Sequence, residues 1–282
     1  MSKTRYKQVP TGAPASAAAG GLVLEYDEHE AMDLMDWGCE CMKWGVQFIG
    51  AFILYFVAQH SVVSSLDMFS QGFWYGGVFV FLRFYSNQFL FDSWFITWRA
   101  LVSVFKKPMN MLRTFNIVIK MITELSILLS ASIVSSIVIH WHTQDYAFIG
   151  NITPKPWVTM WQAVFYEAFF RGILTGVFSE TDAMTKKYGQ TTTLGVGAVM
   201  DGFAVQLVYW GTATSSGGSV DVMRAVGQSI MSGEWTGAVN AFYGQAIGQV
   251  VVGVLSLVRG RVSVMMEENR HKRAALANGT NR

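Results

Sequence analysis

The chain has 282 residues, of which 51% are hydrophobic and only 14% charged, with a net charge of +2. Soluble domains carry about 25% charged residues, so this chain lacks the charge to cover a soluble surface and falls in the membrane class. The near-neutral balance gives no support to a nucleic-acid partner.

In chain order, residues 1–43 begin basic (Lys3, Arg5, Lys7), pass through "GAPASAAAGG" and turn acidic around "EYDEHEAMD". This reads as a solvated cytoplasmic arm without a cleavable signal peptide. Cys39 and Cys41 are the only cysteines. A C-x-C pair without further Cys or a His cluster reads as two interfacial thiols, so no metal or other cofactor is expected.

Six segments reach the roughly 20 apolar residues that a membrane-spanning helix needs. They are 44–65, 71–91, 114–139, 159–179, 192–213 and 236–258. None of the five prolines (Pro10, Pro14, Pro108, Pro154, Pro156) interrupts them. Two further apolar runs, 93–105 and 222–232, are too short to span. Helices of that length cover about half the hydrocarbon thickness. They persist at that depth only where protein or a water-filled cavity satisfies their ends.

Lys and Arg crowd the N-terminal arm, the stretch 99–113, the 186–187 turn and the tail 261–282. The positive-inside bias therefore predicts both termini in the cytoplasm. The sequon at Asn151 then lies on the outer side, where glycosylation is possible, although Pro154 follows it directly.

The chain divides into like halves, about 44–140 and 159–260. Each has two long segments, a short run opened by Asp (Asp92, Asp221), and a third long segment. Three spans per half is an odd number, so the halves lie in opposite orientation as an inverted repeat. The two short runs then enter from opposite faces and meet near the midplane.

These residues resemble the major intrinsic protein family, the aquaporins and glycerol channels. "SSGGSVDVMRAVGQSIMSGEW" is similar to the second family signature, keeping Gly217, Ser219, Arg224, Gly227, Ser232, Gly233 and Trp235. "QFIGAFILYF" (47–56) resembles the family's first helix and "FYGQAIG" (242–248) its last. The resemblance covers about 40–260 and implies an all-α integral membrane channel of six transmembrane helices and two re-entrant half-helices. It also implies a homotetramer in a lipid bilayer.

Departures from the family pattern are specific. The two Asn-Pro-Ala boxes read Asp92-Ser93-Trp94 and Asp221-Val222-Met223. The first-helix glutamate is Gln47, the fourth-helix glutamate is kept as Glu167, and a third-helix glutamine position holds Glu124. In the family, the Asn amides donate to passing oxygens, and the positive half-helix ends repel cations and protons. An ionised Asp still caps the helix but cannot donate. Asp92 and Asp221 are therefore either plain caps or a midplane carboxylate pair that sets selectivity. By the resemblance, Arg224 is the constriction's cation, with Tyr209, Gly218 and either Gly72 or Phe73 around it. Gly218 would widen that ring. Trp94 and Met223 replace small alanines, so they either push the half-helices apart or point sideways into the bundle.

Two charge pairs lie four residues apart, Lys120 with Glu124 and Glu167 with Arg171, and each can meet on one helix face. Arg83 has no local partner and is expected to seek Asp92, Glu124 or Glu167. His140 and His142 in "HWHTQD" end the third span, as a pH sensor, a metal ligand pair or an interfacial cluster without function. No nucleophile–base constellation or phosphate-cradling loop stands out, so no enzyme is expected. The function expected is a channel for water or small uncharged solutes, in the plasma membrane or an organelle membrane. The alternatives are a non-conducting structural protein on the same fold and a weak cation or proton pathway.

Overall fold

A computed structural model describes residues 34–85, 91–106, 111–144, 152–188 and 190–279. Among these the chain forms eight helices and no strand. They are α1 (Leu34–Val63), α2 (Met68–Tyr85), α3 (Ser93–Lys106), α4 (Met111–Thr143), α5 (Met160–Tyr188), α6 (Gln190–Ala213), α7 (Val222–Ser232) and α8 (Thr236–Gly279). α3 and α7 are the two short runs. Asn151 and residues 1–33 lie outside the described residues.

Three boundaries differ from the sequence expectation. α1 begins at Leu34, inside the expected arm; α5 runs through the expected 186–187 turn; and α8 continues through most of the expected tail. Charged stretches without Pro keep good helix propensity, so hydropathy ends before the helix does.

Stretches within α1 (Gly38–Val63), α4 (Thr114–Thr143) and α8 (Thr236–Leu255) are long and apolar enough to cross a membrane. Among the described residues two compact units are distinguished, 34–252 and a smaller one, 253–279. In the smaller, residues 253–279 are helical and expose Val258, Val262, Met265 and Met266.

Helix starts in the larger unit follow their capping residues. Thr159 and Gln162 form a reciprocal capping box at α5, with Thr159 N–H donating to Gln162 Oε1 at 2.8 Å. Asp67 caps α2 through the Phe69 and Ser70 amides at 3.0 and 3.1 Å. α7 ends at Gly233, whose φ of 77° is the left-handed conformation that glycine adopts at no steric cost.

α1 packs on α2 and α4, α5 on α6, and α2 on α6 across the two halves; α4 also contacts both short helices. Gly76 and Gly202 allow the α2–α6 approach, since a Cβ on either would lie 2.8 Å from the other's carbonyl oxygen. One continuous core joins these helices. Its aromatic members Tyr55, Tyr75, Phe79, Phe91, Phe95, Phe178 and Tyr209 are each at most 5% exposed.

Candidate functional site

The two short helices present their N-termini to one another. α3 has 14 residues and α7 has 11, or about 21 and 16 Å of helix. Asp92 caps α3, accepting from the Phe95 amide at 2.8 Å. Asp221 caps α7, accepting from the Met223 amide at 3.1 Å. Both carboxylates thus absorb orphan amides of the first turn.

Their remaining lone pairs are used differently. Asp92 receives both Arg171 terminal nitrogens in a buried bidentate pair. Arg171 also donates to Gln249 Oε1 at 3.3–3.4 Å, and Thr175 donates to the same oxygen at 2.9 Å. Asp221 instead accepts from the Tyr55 hydroxyl at 2.6 Å and from the Ser93 hydroxyl at the start of α3. Ser93 therefore ties one short helix to the cap of the other. Asp92 and Asp221 are 3% and 1% exposed, so neither offers a free carboxylate face.

The turn entering α7 is conformationally specific. Gly217, Gly218 and Val220 have φ of 101°, 76° and 53°. For β-branched Val220 this is an outlier that persists only where surrounding structure over-determines it. Glu167 supplies part of that determination. Its carboxylate accepts from Ser216, from Ser219 at 2.6 Å and from Gln245 at 3.0 Å.

Arg224 is 1% exposed. Its Nη1 donates to the Gly218 carbonyl at 3.0 Å, and its guanidinium lies 5.5 Å from the centre of the Tyr75 ring. Its Nε meets no acceptor, and no carboxylate pairs with it among the described residues. Tyr209 in turn donates to Gln71 Oε1 at 2.6 Å, and its ring lies 5.8 Å from Tyr75. Beyond the Asp caps, Phe79 stacks on Phe178 at 5.7 Å, with Phe91 and Phe95 edge-on to them at 6.4 and 5.8 Å. Around the two helix starts these aromatic side chains are in contact with one another.

Several expected placements change. Phe73 is 59% exposed on the outer face of α2, and Gly72 lies against the Trp210 indole. The α2 residue beside Arg224 is Tyr75, one turn from Gly72 on the same helix face. Gly218 faces Tyr209 and Ala213, where a Cβ would sit at 3.2 and 3.3 Å. Trp94 points sideways onto Phe242 of α8, at 5.7 Å. Met223 and Val222 also pack in the adjoining apolar cluster. Arg171 pairs with Asp92 rather than with Glu167. Glu124 meets Arg99 of α3 at 3.4 Å, while Lys120 lines the same small cleft. Arg83 pairs with Asp201 at 3.0 Å, and Thr181 also donates to that carboxylate at 2.7 Å. Gln47 is buried on α1.

Sequence reading missed Tyr55, Tyr75 and Asp201. Nothing local marks the two tyrosines. A single Asp inside an apolar span, with Arg83 in another, was a usable signal, since intramembrane charges pair with one another.

An all-helical chain with apolar helices of spanning length and facing short helices has the build of a membrane protein with an aquaporin-like fold. The aquaglyceroporin of Plasmodium falciparum, solved by X-ray crystallography, matches with a TM-score of 0.54 at 14% identity over 75% of this chain and 93% of that one. No family model matches the sequence, and no curated protein does so either.

Proposed function

We propose that this chain is a membrane channel for small uncharged solutes, water or a polyol, closed in the described conformation by its own side chains. Arg224 carries the reading. A buried guanidinium with an idle Nε and no carboxylate partner among the described residues is costly unless a further oxygen acceptor reaches that nitrogen. Water and polyol hydroxyls are such acceptors, and a fixed cation repels other cations. The carboxylates do not oppose that field freely. Asp92 is neutralised by Arg171, and the lone pairs of Asp221 are occupied by Tyr55, Ser93 and the α7 amide. A cation or proton pathway is therefore disfavoured. In this reading the six long helices all span, the chain assembles as a homotetramer in a bilayer, and both termini face the cytoplasm.

A second reading is favoured by the packed aromatic core: a non-conducting scaffold on the same fold. Flux in proteoliposomes separates the two. The channel reading expects water and glycerol permeability above empty vesicles without added K⁺ flux. It also expects Arg224→Ala to admit cations. Wild-type K⁺ conduction would overturn it, and permeability at the level of empty vesicles would favour the scaffold.

A further inference from the structure

The end of the α1–α4 seam carries a histidine pair that the channel reading does not use. His60 lies in the last turn of α1 and His142 in the last turn of α4. Both are exposed, and their ring centres are 6.1 Å apart with the planes tilted by 37°. Metal–nitrogen bonds are about 2.0–2.1 Å, which puts each ligating ring centre about 3.2 Å from the ion. Two rings on one ion then lie about 4.5–5.5 Å apart at ligand angles of about 90–120°. The observed separation exceeds that range by roughly half an ångström, a gap that small χ adjustments in exposed side chains close.

The orientation of His60 is also set. Its Nδ1 is 3.1 Å from the Ser64 hydroxyl, which leaves Nε2 as the available ligand atom. A hydrogen bond to the far ring nitrogen is the usual outer-shell support of a metal-bound imidazole. On its other side His60 rests on the Phe56 ring at 5.6 Å. The His142 ring meets the His60 ring. His140, two residues earlier and half-buried, points elsewhere on α4.

We propose that His60 and His142 bind one divalent transition-metal ion of the zinc, nickel or copper class, with water completing its coordination. Imidazole nitrogen suits these ions. The ion would staple the ends of α1 and α4, and those helices hold the start of α7. Tyr55 of α1 donates to Asp221, Ser132 of α4 donates to the Arg224 carbonyl at 2.9 Å, and Gln59 joins Ser136 across the seam at 2.8 Å. Binding there tightens the seam that anchors the candidate constriction.

The test uses full-length protein carrying Cys39→Ser and Cys41→Ser, which removes both thiols as competing ligands. Calorimetric titration with Ni²⁺ and with Zn²⁺ is run on this parent and on its His60→Ala, His142→Ala and His140→Ala derivatives. One ion per chain is expected on the parent and on His140→Ala, with at least a tenfold loss of affinity in the other two. Zn²⁺ should raise the thermal unfolding midpoint of the parent and leave that of His142→Ala unmoved. No binding to the parent, equal binding in all four proteins, or loss only in His140→Ala would overturn the proposal. His60 and His142 are exposed, so their variants should fold.

Discussion

α3 and α7 start with the same residue in corresponding places, yet their carboxylates are satisfied by different chemistry. Asp92 has a buried guanidinium from α5, whereas Asp221 has two hydroxyls, from α1 and from α3 itself. An ion pair neutralises its carboxylate but leaves a second buried charge dependent on it. Hydroxyls satisfy lone pairs without adding charge. The α3 end is therefore the one whose failure is costly, and the α7 end is the more adjustable.

The largest predicted effect tests the dependent charge. Arg171→Leu leaves Asp92 buried without its cation and should cost about 3–5 kcal/mol, read by chemical or thermal unfolding in detergent. Adding Asp92→Asn should recover most of the loss, because Asn still caps α3. A double variant no better than the single one would break the comparison.

Tyr55→Phe removes one donor from Asp221 and should cost about 2 kcal/mol, the range for hydrogen bonds to charged groups. A loss as large as that of Arg171→Leu would mean that the two ends are equally brittle. Gly218→Ala forces a Cβ into a left-handed position against Tyr209 and should cost about 1–2 kcal/mol. The same assay reads it, and a neutral result would mean that the α7 turn is looser than its dihedrals indicate.

The smallest effect concerns a third cap, at the exposed start of α2. Hydrogen bonds from Ser70, chiefly from its hydroxyl and then its amide, lower Asp67 below its ordinary value of 3.8. Its stabilising contribution is complete above that value and is lost as pH falls through the lowered one. Asp67→Asn should remove that contribution near neutrality, so that the stability profile falls slightly less steeply below about pH 4. Measurement of unfolding midpoints across that range checks the sign.

The long helices and the two short ones were legible because hydropathy and length are local properties of the chain. Partners across the bundle were not. Arg171 lies four residues from Glu167, and local spacing favours that pair, but Asp92 reaches Arg171 from 79 residues away. Glu167 is taken instead by the turn entering α7. The α2 residue beside Arg224 was misplaced for a similar reason. Choosing between Gly72 and Phe73 rested on one gap, whereas the buried set Gly72, Tyr75, Gly76, Phe79 and Leu82 marks the inward helical face. The caps were legible because both short runs open on Asp, and the α7 stretch also keeps its small-residue turn.

The central claim is a passage for uncharged solutes that the described side chains close. Its most direct test is stopped-flow glycerol swelling of proteoliposomes holding the wild type or Tyr75→Ala/Phe79→Ala, which trims both aromatic layers on α2. Size-exclusion profiles confirm that the variant is folded. Wild-type permeability above empty vesicles and a severalfold rise in the folded variant are expected. Permeability at the empty-vesicle level in both would contradict it.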